Sequence, residues 1–368
     1  MAPVTYWPRR TGLYWWKHGT RDDLRFDFDL AAGIGLTQLQ VALPWAEFQD
    51  RADTVPAAPM RSLEMLLDEA AEYSLTLRLR LLSVLVGRLL WLPHWTLDPL
   101  TAGDREVFNG RGFTNLEPRK LFTDPQMVDA EALVVDEIVG EFCSHPAAGA
   151  WVLDGGLFAA SSPDSRHAGE AWLDALVTAA RRGGRSPRLS AGLPARDVVR
   201  NAAVQFEVYE SLGVSLDVAP TWRPTWARGS GALWPSFLAA FVASLVAAPA
   251  MIEIEADPSE DESSRAKRQS EEISSVASHG AAGVTGAFLI DPAPDVLKTS
   301  PYRHGAFSGT GLFRADGSPR EAADVWRQAQ LDRRALAPVP SDFPAPDVEM
   351  RDRYPEEAAQ ESFEAFTR

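Results

Sequence analysis

The sequence has few residues of the kinds that build disulfides, metal sites or nucleotide sites. It contains one cysteine, Cys143, in 368 residues, which excludes an intramolecular disulfide framework and a zinc site made of several cysteines. The six histidines lack the paired spacing of metal ligands. No Walker loop, Gly-x-Gly-x-x-Gly fingerprint or Gly-x-Ser-x-Gly elbow is present, so phosphate and acyl-transfer chemistry have no support. We therefore expect neither a metal nor an organic cofactor.

Positive charge and long apolar runs are also scarce. Lysine and arginine number 36 against 51 aspartates and glutamates, for a net charge of -15. Because nucleic-acid affinity comes mainly from basic residues that neutralise phosphates, we expect no nucleic-acid partner. The longest apolar run, 237–252, contains Pro249 and is shorter than the roughly 18 residues of a membrane span, which predicts a buried helix followed by a buried strand. With no signal-like N-terminus, we expect a cytoplasmic protein, or a secreted one if a signal has been trimmed.

Short apolar segments alternate with amphipathic helices along most of the chain. This alternation is typical of repeated βα units around a parallel sheet, and eight units predict a single α/β domain, a (β/α)8 TIM barrel, over residues 1–332. The predicted strands lie near residues 13–17, 37–43, 75–82, 150–155, 189–193, 215–219, 250–256 and 286–291.

Helix signals and unusual connections complete the predicted organisation. A helix is predicted to begin at Pro125 after the capping residue Asp124, and another near Pro59. The stretches 83–123 and 258–272 are predicted loops on the C-terminal face of the barrel, where active sites form. Four prolines between residues 338 and 346 predict that the segment 333–368 is an extended linker that ends in an acidic helical segment, 356–366. Whether that segment docks on the barrel is left open.

Four motifs, in chain order, carry a family resemblance. They are Leu43-Pro-Trp-Ala-Glu-Phe-Gln49, Trp91-Leu-Pro-His-Trp95, His145-Pro-Ala-Ala-Gly-Ala-Trp-Val-Leu153 and Gly311-Leu-Phe-Arg-Ala-Asp-Gly-Ser318. Together they resemble elements of glycoside hydrolase family five, the retaining β-glycosidases of mannanase and cellulase type. The resemblance implies a TIM barrel with its site at the C-terminal ends of the strands.

The resemblance also shows where this chain departs from the family's chemistry. Retaining hydrolysis needs a protonated carboxyl group and an ionised carboxylate about 5 to 5.5 Å apart. The family's nucleophile maps onto Glu255, but its proton donor maps onto Gly156 and the adjacent asparagine onto Gly155. The supporting arginine falls on Gln40 and the tryptophan of the sugar floor near Ile290. The resemblance therefore implies a degenerate catalytic site.

The alternation of side chains along strands predicts what lies inside the barrel. Ionisable residues predicted to point inward are Arg78, Arg80, Asp154, Asp217, Glu253 and Glu255. In one interpretation they form an ion-paired plug, because unpaired buried charges are costly. In the other, Glu255 stays a free nucleophile and Asp154 acts as a displaced donor, although it lies two residues, about 6.5 Å, deeper along its strand than Gly156.

Several side chains near predicted strand ends could bind a sugar, because aromatic rings can stack on sugar faces. The candidates are Trp45, Glu47, Trp91, Trp95 and Trp222. Three functions follow: a degenerate barrel that binds a β-linked saccharide or a protein partner, an active retaining hydrolase that uses Glu255 and Asp154, or a structural subunit with a plugged barrel. An open mouth favours the first two and a filled mouth favours the third.

Overall fold

The computed structural model describes residues 2–87, 89–246, 249–254, 257–304, 309–331 and 342–368. The described strands are β1 Val4–Tyr6, β2 Gln38–Pro44, β3 Thr76–Ser83, β4 Leu85–Val86, β5 Leu89–Trp91, β6 Leu97–Phe108, β7 Phe113–Pro118, β8 Ala148–Val152, β9 Leu189–Pro194, β10 Val214–Ala219, β11 Met251–Glu253, β12 Gly283–Thr285, β13 Phe288–Ile290 and β14 Gly311–Phe313. The described helices are α1 Trp15–His18, α2 Arg21–Gly33, α3 Trp45–Phe48, α4 Ala57–Glu72, α5 Pro125–Phe142, α6 Leu157–Ala160, α7 Arg166–Ala180, α8 Ala195–Arg200, α9 Phe206–Ser211, α10 Leu233–Leu245, α11 Glu262–Ala277, α12 Glu321–Leu331, α13 Val348–Arg353 and α14 Pro355–Phe366.

The larger sheet curls into a barrel of parallel strands. Its order is β12-β11-β10-β9-β8-β3-β2-β1-β13-β14. The consecutive strands β12 and β13 act as one interrupted eighth strand, because β12 pairs with β11 while β13 pairs with β1. The interruption falls at Gly286, which has φ +130° and lies so close to Ile254 that a Cβ atom would overlap its backbone. The sheet thus closes, and the (β/α)8 barrel predicted from the sequence is confirmed.

The first predicted strand is wrong. Residues 13–17 lie in a turn of 3-10 helix and in α1, where Trp15 and Trp16 are buried in the core. The true first strand, β1, has three residues, of which Val4 and Tyr6 are buried. Two alternating apolar residues are too weak a signal to distinguish a strand from a loop, whereas adjacent tryptophans mimic a buried strand.

The other predicted strands are confirmed, the seventh over Met251–Glu253 with residues 255 and 256 outside the described residues, and so are the predicted helix starts near residues 59 and 125. The Asp124 carboxylate accepts a hydrogen bond from the Gln126 N–H at 3.0 Å, with Pro125 in the first turn. The stretch 258–272 is corrected, since most of it belongs to α11, which is capped by Asp261 through the Ser264 N–H at 2.9 Å. Its polar residues are divided between the solvent face of this helix and a buried side that includes Arg265, Gln269 and Glu272.

The long connection after β3 forms a second, four-stranded sheet with the order β4-β5-β6-β7. This insertion is tied to the barrel at the end of the fourth parallel strand, where the Val84 N–H donates to the Gly155 carbonyl at 3.1 Å. Strands β6 and β7 form an antiparallel ribbon, and much of β6 is exposed. The insertion therefore lies at the C-terminal mouth of the barrel.

The C-terminal segment docks on the outside of the barrel. Phe363 of α14 packs against Phe237 of α10 with a centroid distance of 5.1 Å, and buried Arg351 lies 2.8 Å from Glu207. This settles the open question of docking for residues 342–368. No helix in the described ranges is long and apolar enough to cross a membrane.

Candidate functional site

The position that the resemblance assigns to the proton donor is filled by the insertion. Gly156 has φ +108°, and a Cβ atom there would lie 2.8 Å from the Leu85 side chain. A Cβ atom on Gly155 would overlap the backbone of Leu81 and Ser83. Side chains at these two positions would require the insertion to move, so neither position has room for a side chain in this arrangement.

Asp154 is a buried cap and does not face the barrel mouth freely. Its Oδ1 atom accepts hydrogen bonds from the N–H groups of Gly156 at 2.9 Å and Leu157 at 2.5 Å. Burial raises the pKa of Asp154 to about 6, although these backbone donors and the nearby Arg80 favour the ionised form. The carboxylate therefore stabilises the turn into α6, a role that competes with proton donation to a substrate.

Aromatic side chains from three loops pack together over one side of the mouth. We call this group the mouth cluster, and its buried members are Trp7, Leu13, Ala42, Val86, Trp91, Phe108, Val296 and Tyr302. Trp7 lies 4.9 Å from Phe288 and 5.9 Å from Tyr302 between ring centroids, and Trp91 lies 5.7 Å from Tyr14. The Leu13 N–H also donates to the Tyr302 hydroxyl at 2.5 Å. The loops after β1, β3 and β13 are thus joined by a hydrophobic plug.

Two ion pairs link opposite strands inside the barrel, and they differ in exposure. The Arg78 guanidinium lies 2.5 Å from the Asp217 carboxylate, with side-chain exposures of 9% and 13%. Arg78 also donates to the Ser190 hydroxyl at 3.2 Å. Arg80 lies 3.9 Å from Glu253, and both are about a quarter exposed, at 23% and 30%. The partners agree with the strand alternation, but the second pair is loose and reached by solvent.

The predicted nucleophile, Glu255, lies outside the described residues. The strand before it is described to Ile254, whose N–H donates to the Thr285 carbonyl at 2.6 Å. The Oε1 atom of Gln40, at the position of the family's supporting arginine, is buried with no hydrogen-bond partner among the described residues. The same part of the chain contains no group of three or more His, Cys, Asp or Glu residues that could hold a metal ion.

Comparisons with known proteins find relatives by structure and none by sequence. No protein-family model and no curated protein matches the chain. A solved structure of GH5_18 from Streptomyces cattleya in complex with GlcNAc matches with a TM-score of 0.78 at 19% identity, over 99% of this chain and 89% of that one. The chain has the fold of a glycoside hydrolase family five barrel. A variant of the same Streptomyces protein, with one glutamate replaced by alanine, matches equally well in complex with Manβ1-4GlcNAc, over 90% of its length.

Two further structures with this fold extend the comparison. A GH5_18 variant from Bifidobacterium longum, with one glutamate replaced by alanine and also in complex with Manβ1-4GlcNAc, matches with a TM-score of 0.73 at 16% identity, over 92% of this chain and 79% of that one. The exo-β-1,4-mannosidase Op5Man5 from an Opitutaceae bacterium matches with a TM-score of 0.71 at 19% identity, over 90% of this chain and 59% of that one. At these identities the likeness establishes the family five fold.

Three of the predicted binding side chains are packed inside this family five fold. Trp45 is fully buried and donates from Nε1 to the Gln49 side chain at 2.6 Å. Glu47 is 4% exposed and lies 2.9 Å from Lys17, and burial raises its pKa. Trp91 belongs to the mouth cluster. None of these three offers a free ring face or carboxylate to a sugar.

Two predicted tryptophans, Trp95 and Trp222, are half-buried and lie apart. Trp222, in the loop after β10, packs near the Arg200 guanidinium, which lies 5.5 Å from its ring centroid. Trp95 instead lines a groove between the β6–β7 ribbon and the start of α5. The sequence contains no signal for this groove or for the packing of Trp7, Tyr14 and Tyr302, because each arises from contacts between distant loops.

Proposed function

We propose that this chain is a glycosidase-like barrel that binds a β-linked saccharide without hydrolysing it. The observation that carries the proposal is the occupied space at the donor position. There Gly156 has a positive φ and the Leu85 side chain stands where a glutamate side chain would begin. General-acid assistance is typically worth 10² to 10⁴ fold in rate, so its loss alone would reduce turnover severely.

Asp154 is a poor substitute for the missing donor. Its Oδ1 atom already accepts two backbone hydrogen bonds, and it lies deeper in the barrel than the donor position. Small misplacements of a catalytic group cost orders of magnitude in rate. An active hydrolase with Glu255 as nucleophile and Asp154 as donor is therefore the weaker alternative.

The saccharide part of the proposal rests on fold and on aromatic side chains. Structures with this fold from Streptomyces cattleya and Bifidobacterium longum are complexes with GlcNAc or Manβ1-4GlcNAc. This chain keeps two half-buried tryptophans, Trp95 and Trp222, whose rings suit stacking on sugar faces. A protein partner is the other ligand class that suits an inactive barrel.

A second candidate function is that of a structural subunit. The observation that favours it is the mouth cluster, which fills one side of the mouth with buried aromatic rings. In that case the outer surface of the barrel, and not a saccharide site, carries the function.

Paired hydrolysis and binding assays test the proposal. The purified protein is incubated with Manβ1-4GlcNAc and aryl β-mannosides, and binding of Manβ1-4GlcNAc is measured by calorimetry. We expect binding without release of products above the buffer rate. Turnover that Glu255→Gln abolishes would establish the active hydrolase instead, and absence of both binding and turnover would favour the structural subunit.

A further inference from the structure

We propose that the saccharide binds outside the barrel mouth, in the groove lined by Trp95 between the β6–β7 ribbon and the start of α5. The ligand class is a neutral oligosaccharide, and this choice of class rests on the proposed function above. The location is argued independently, from the geometry and charge of the groove.

The groove is large enough for a short oligosaccharide. Its volume is about 720 Å³, within the range of roughly 300 to 1,000 Å³ typical of small-molecule sites. The residues that line it are His94, Trp95, Leu97, Asp98, Pro99, Thr101, Leu116, Glu117, Pro118, Arg119, Lys120 and Asp124. One aromatic ring is thus surrounded by many side chains able to form hydrogen bonds.

Trp95 is held in place by the barrel itself. Its indole Nε1 donates to the Gln49 carbonyl at 3.1 Å, and its ring meets that of Trp45 edge to face at 5.4 Å between centroids. The turn that carries it is closed by the Thr96 N–H, which donates to the Pro93 carbonyl at 3.0 Å. Because the ring is already ordered, stacking a ligand on it costs little conformational entropy.

The charged side chains of the groove are also pre-positioned. Asp98 accepts from the Leu100 N–H at 2.9 Å and from the Thr101 hydroxyl at 2.7 Å. Arg119 donates to Gln126 at 2.9 Å and pairs with Asp124. These bonds hold the polar groups in fixed positions, as a specific polar site requires.

The balance of charge selects the class of ligand. The lining contains three carboxylates, of Asp98, Glu117 and Asp124, against the two cations Arg119 and Lys120. A phosphate or another polyanion would meet this slight excess of negative charge, and the two cations that could hold it are already paired with Asp124 and Asp164. A neutral, hydroxyl-rich ligand can use both carboxylates and guanidinium as hydrogen-bond partners and stack on Trp95.

A comparison of binding-site variants tests the location. Calorimetric titrations with Manβ1-4GlcNAc, mannotetraose and cellotetraose are run on the wild type, Trp95→Ala, Trp222→Ala and Leu100→Ala. Leu100 lies on the same ribbon, is 93% exposed and does not line the groove, so it is the matched control. We expect Trp95→Ala to weaken binding of the tightest ligand by about tenfold or more, while Leu100→Ala binds as the wild type does. Trp222→Ala tests the alternative site in the loop after β10.

A second variant keeps the test valid if Trp95→Ala does not fold. Thr101→Phe places a bulky ring at an exposed position in the groove, and we expect it to block binding while melting like the wild type. Wild-type affinity in Trp95→Ala or in folded Thr101→Phe would show that the groove is not the binding site. Loss of binding in Trp222→Ala instead would place the site in the loop after β10 and leave the proposed function unchanged. If the wild type binds none of the three probes, both the groove as a site and saccharide binding as the proposed function are refuted. If it hydrolyses a probe, only the claim that the protein does not hydrolyse its ligand is refuted.

Discussion

The Arg78 guanidinium and the Asp217 carboxylate lie 2.5 Å apart across the barrel interior, at side-chain exposures of 9% and 13%. They come from β3 and β10, which are separated in the sheet by β8 and β9. The pair therefore spans the barrel, with Ser190 of β9 as a further acceptor for Arg78. Two buried charges of opposite sign neutralise each other where neither could remain alone.

Removing Arg78 should be strongly destabilising. We expect Arg78→Met to lower the free energy of unfolding by about 3 to 5 kcal/mol, because it leaves the Asp217 carboxylate buried without its partner. The double variant Arg78→Met with Asp217→Leu should cost much less than the single change. Chemical denaturation of the single and double variants measures the difference.

The loose pair supplies the control for this prediction. Strand alternation alone predicts the same large cost for Arg80→Met, but the structure lowers that expectation, because Arg80 and Glu253 are partly exposed and 3.9 Å apart. Partly solvated pairs are worth about 1 kcal/mol or less. Equal losses in Arg80→Met and Arg78→Met would show that burial does not distinguish the two pairs.

Gly156→Glu should reduce stability and should not create activity. A glutamate here would have to keep the backbone angle φ +108°, and its Cβ atom would lie 2.8 Å from the Leu85 side chain. Unfavourable backbone conformations alone cost about 1 to 3 kcal/mol. Gly183→Glu is the matched control, because Gly183 also has positive φ, +72°, but nothing within 4 Å of an added Cβ. Thermal denaturation should show a larger loss for Gly156→Glu, partly relieved by Leu85→Ala. Full hydrolytic activity in Gly156→Glu would contradict our account of the site.

Asp154→Asn should change how stability depends on pH. The folded-state pKa, about 6, exceeds the ordinary value of 3.8, so the native state holds this proton more tightly than the unfolded chain. The resulting stability is present below about pH 4 and is lost as pH rises through 6. Asparagine keeps an acceptor for the Gly156 and Leu157 N–H groups without the charge.

The expected sign is therefore a relative gain for Asp154→Asn with rising pH. Its stability relative to the wild type should increase by about 2 kcal/mol between pH 4 and 7, at about 1.4 kcal/mol per pKa unit. Asp164→Asn is the control of opposite sign, because a hydrogen bond from Lys120 lowers the pKa of Asp164. Denaturation curves at several pH values test both, and parallel curves for Asp154→Asn and the wild type would refute the predicted shift.

Phe363→Ala should release the C-terminal segment. Phe363 is 6% exposed and packs against Trp226, Trp234 and Phe237, and truncating a buried phenylalanine costs about 3 to 5 kcal/mol. We expect residues 342–368 to exchange amide hydrogens faster and to be cut sooner by protease. Exposed Glu361→Ala should leave both rates unchanged, and unchanged protection in Phe363→Ala would show that other contacts hold the segment.

Much of the fold could be predicted from the sequence because parallel strands covered on both faces appear as short apolar runs. Seven of the eight predicted strands coincide with strands in the structure, and the alternation along β3 placed Arg78 and Arg80 inside the barrel. The glycine at position 156 was likewise visible, since a residue type is a property of the sequence itself.

Only the tertiary structure decided what surrounds those residues. Trp7, Trp91 and Tyr302 meet because barrel closure brings the loops after β1, β3 and β13 to one end, and no local pattern encodes a contact between segments so far apart. For the same reason the sequence could not show that Leu85 fills the space beside Gly156, that Arg80 stays partly solvated while Arg78 is buried, or that Trp95 lines a groove while Trp45 beneath it is core. Residue identity and periodicity are local, whereas burial, exposure and available space depend on how distant parts of the chain pack.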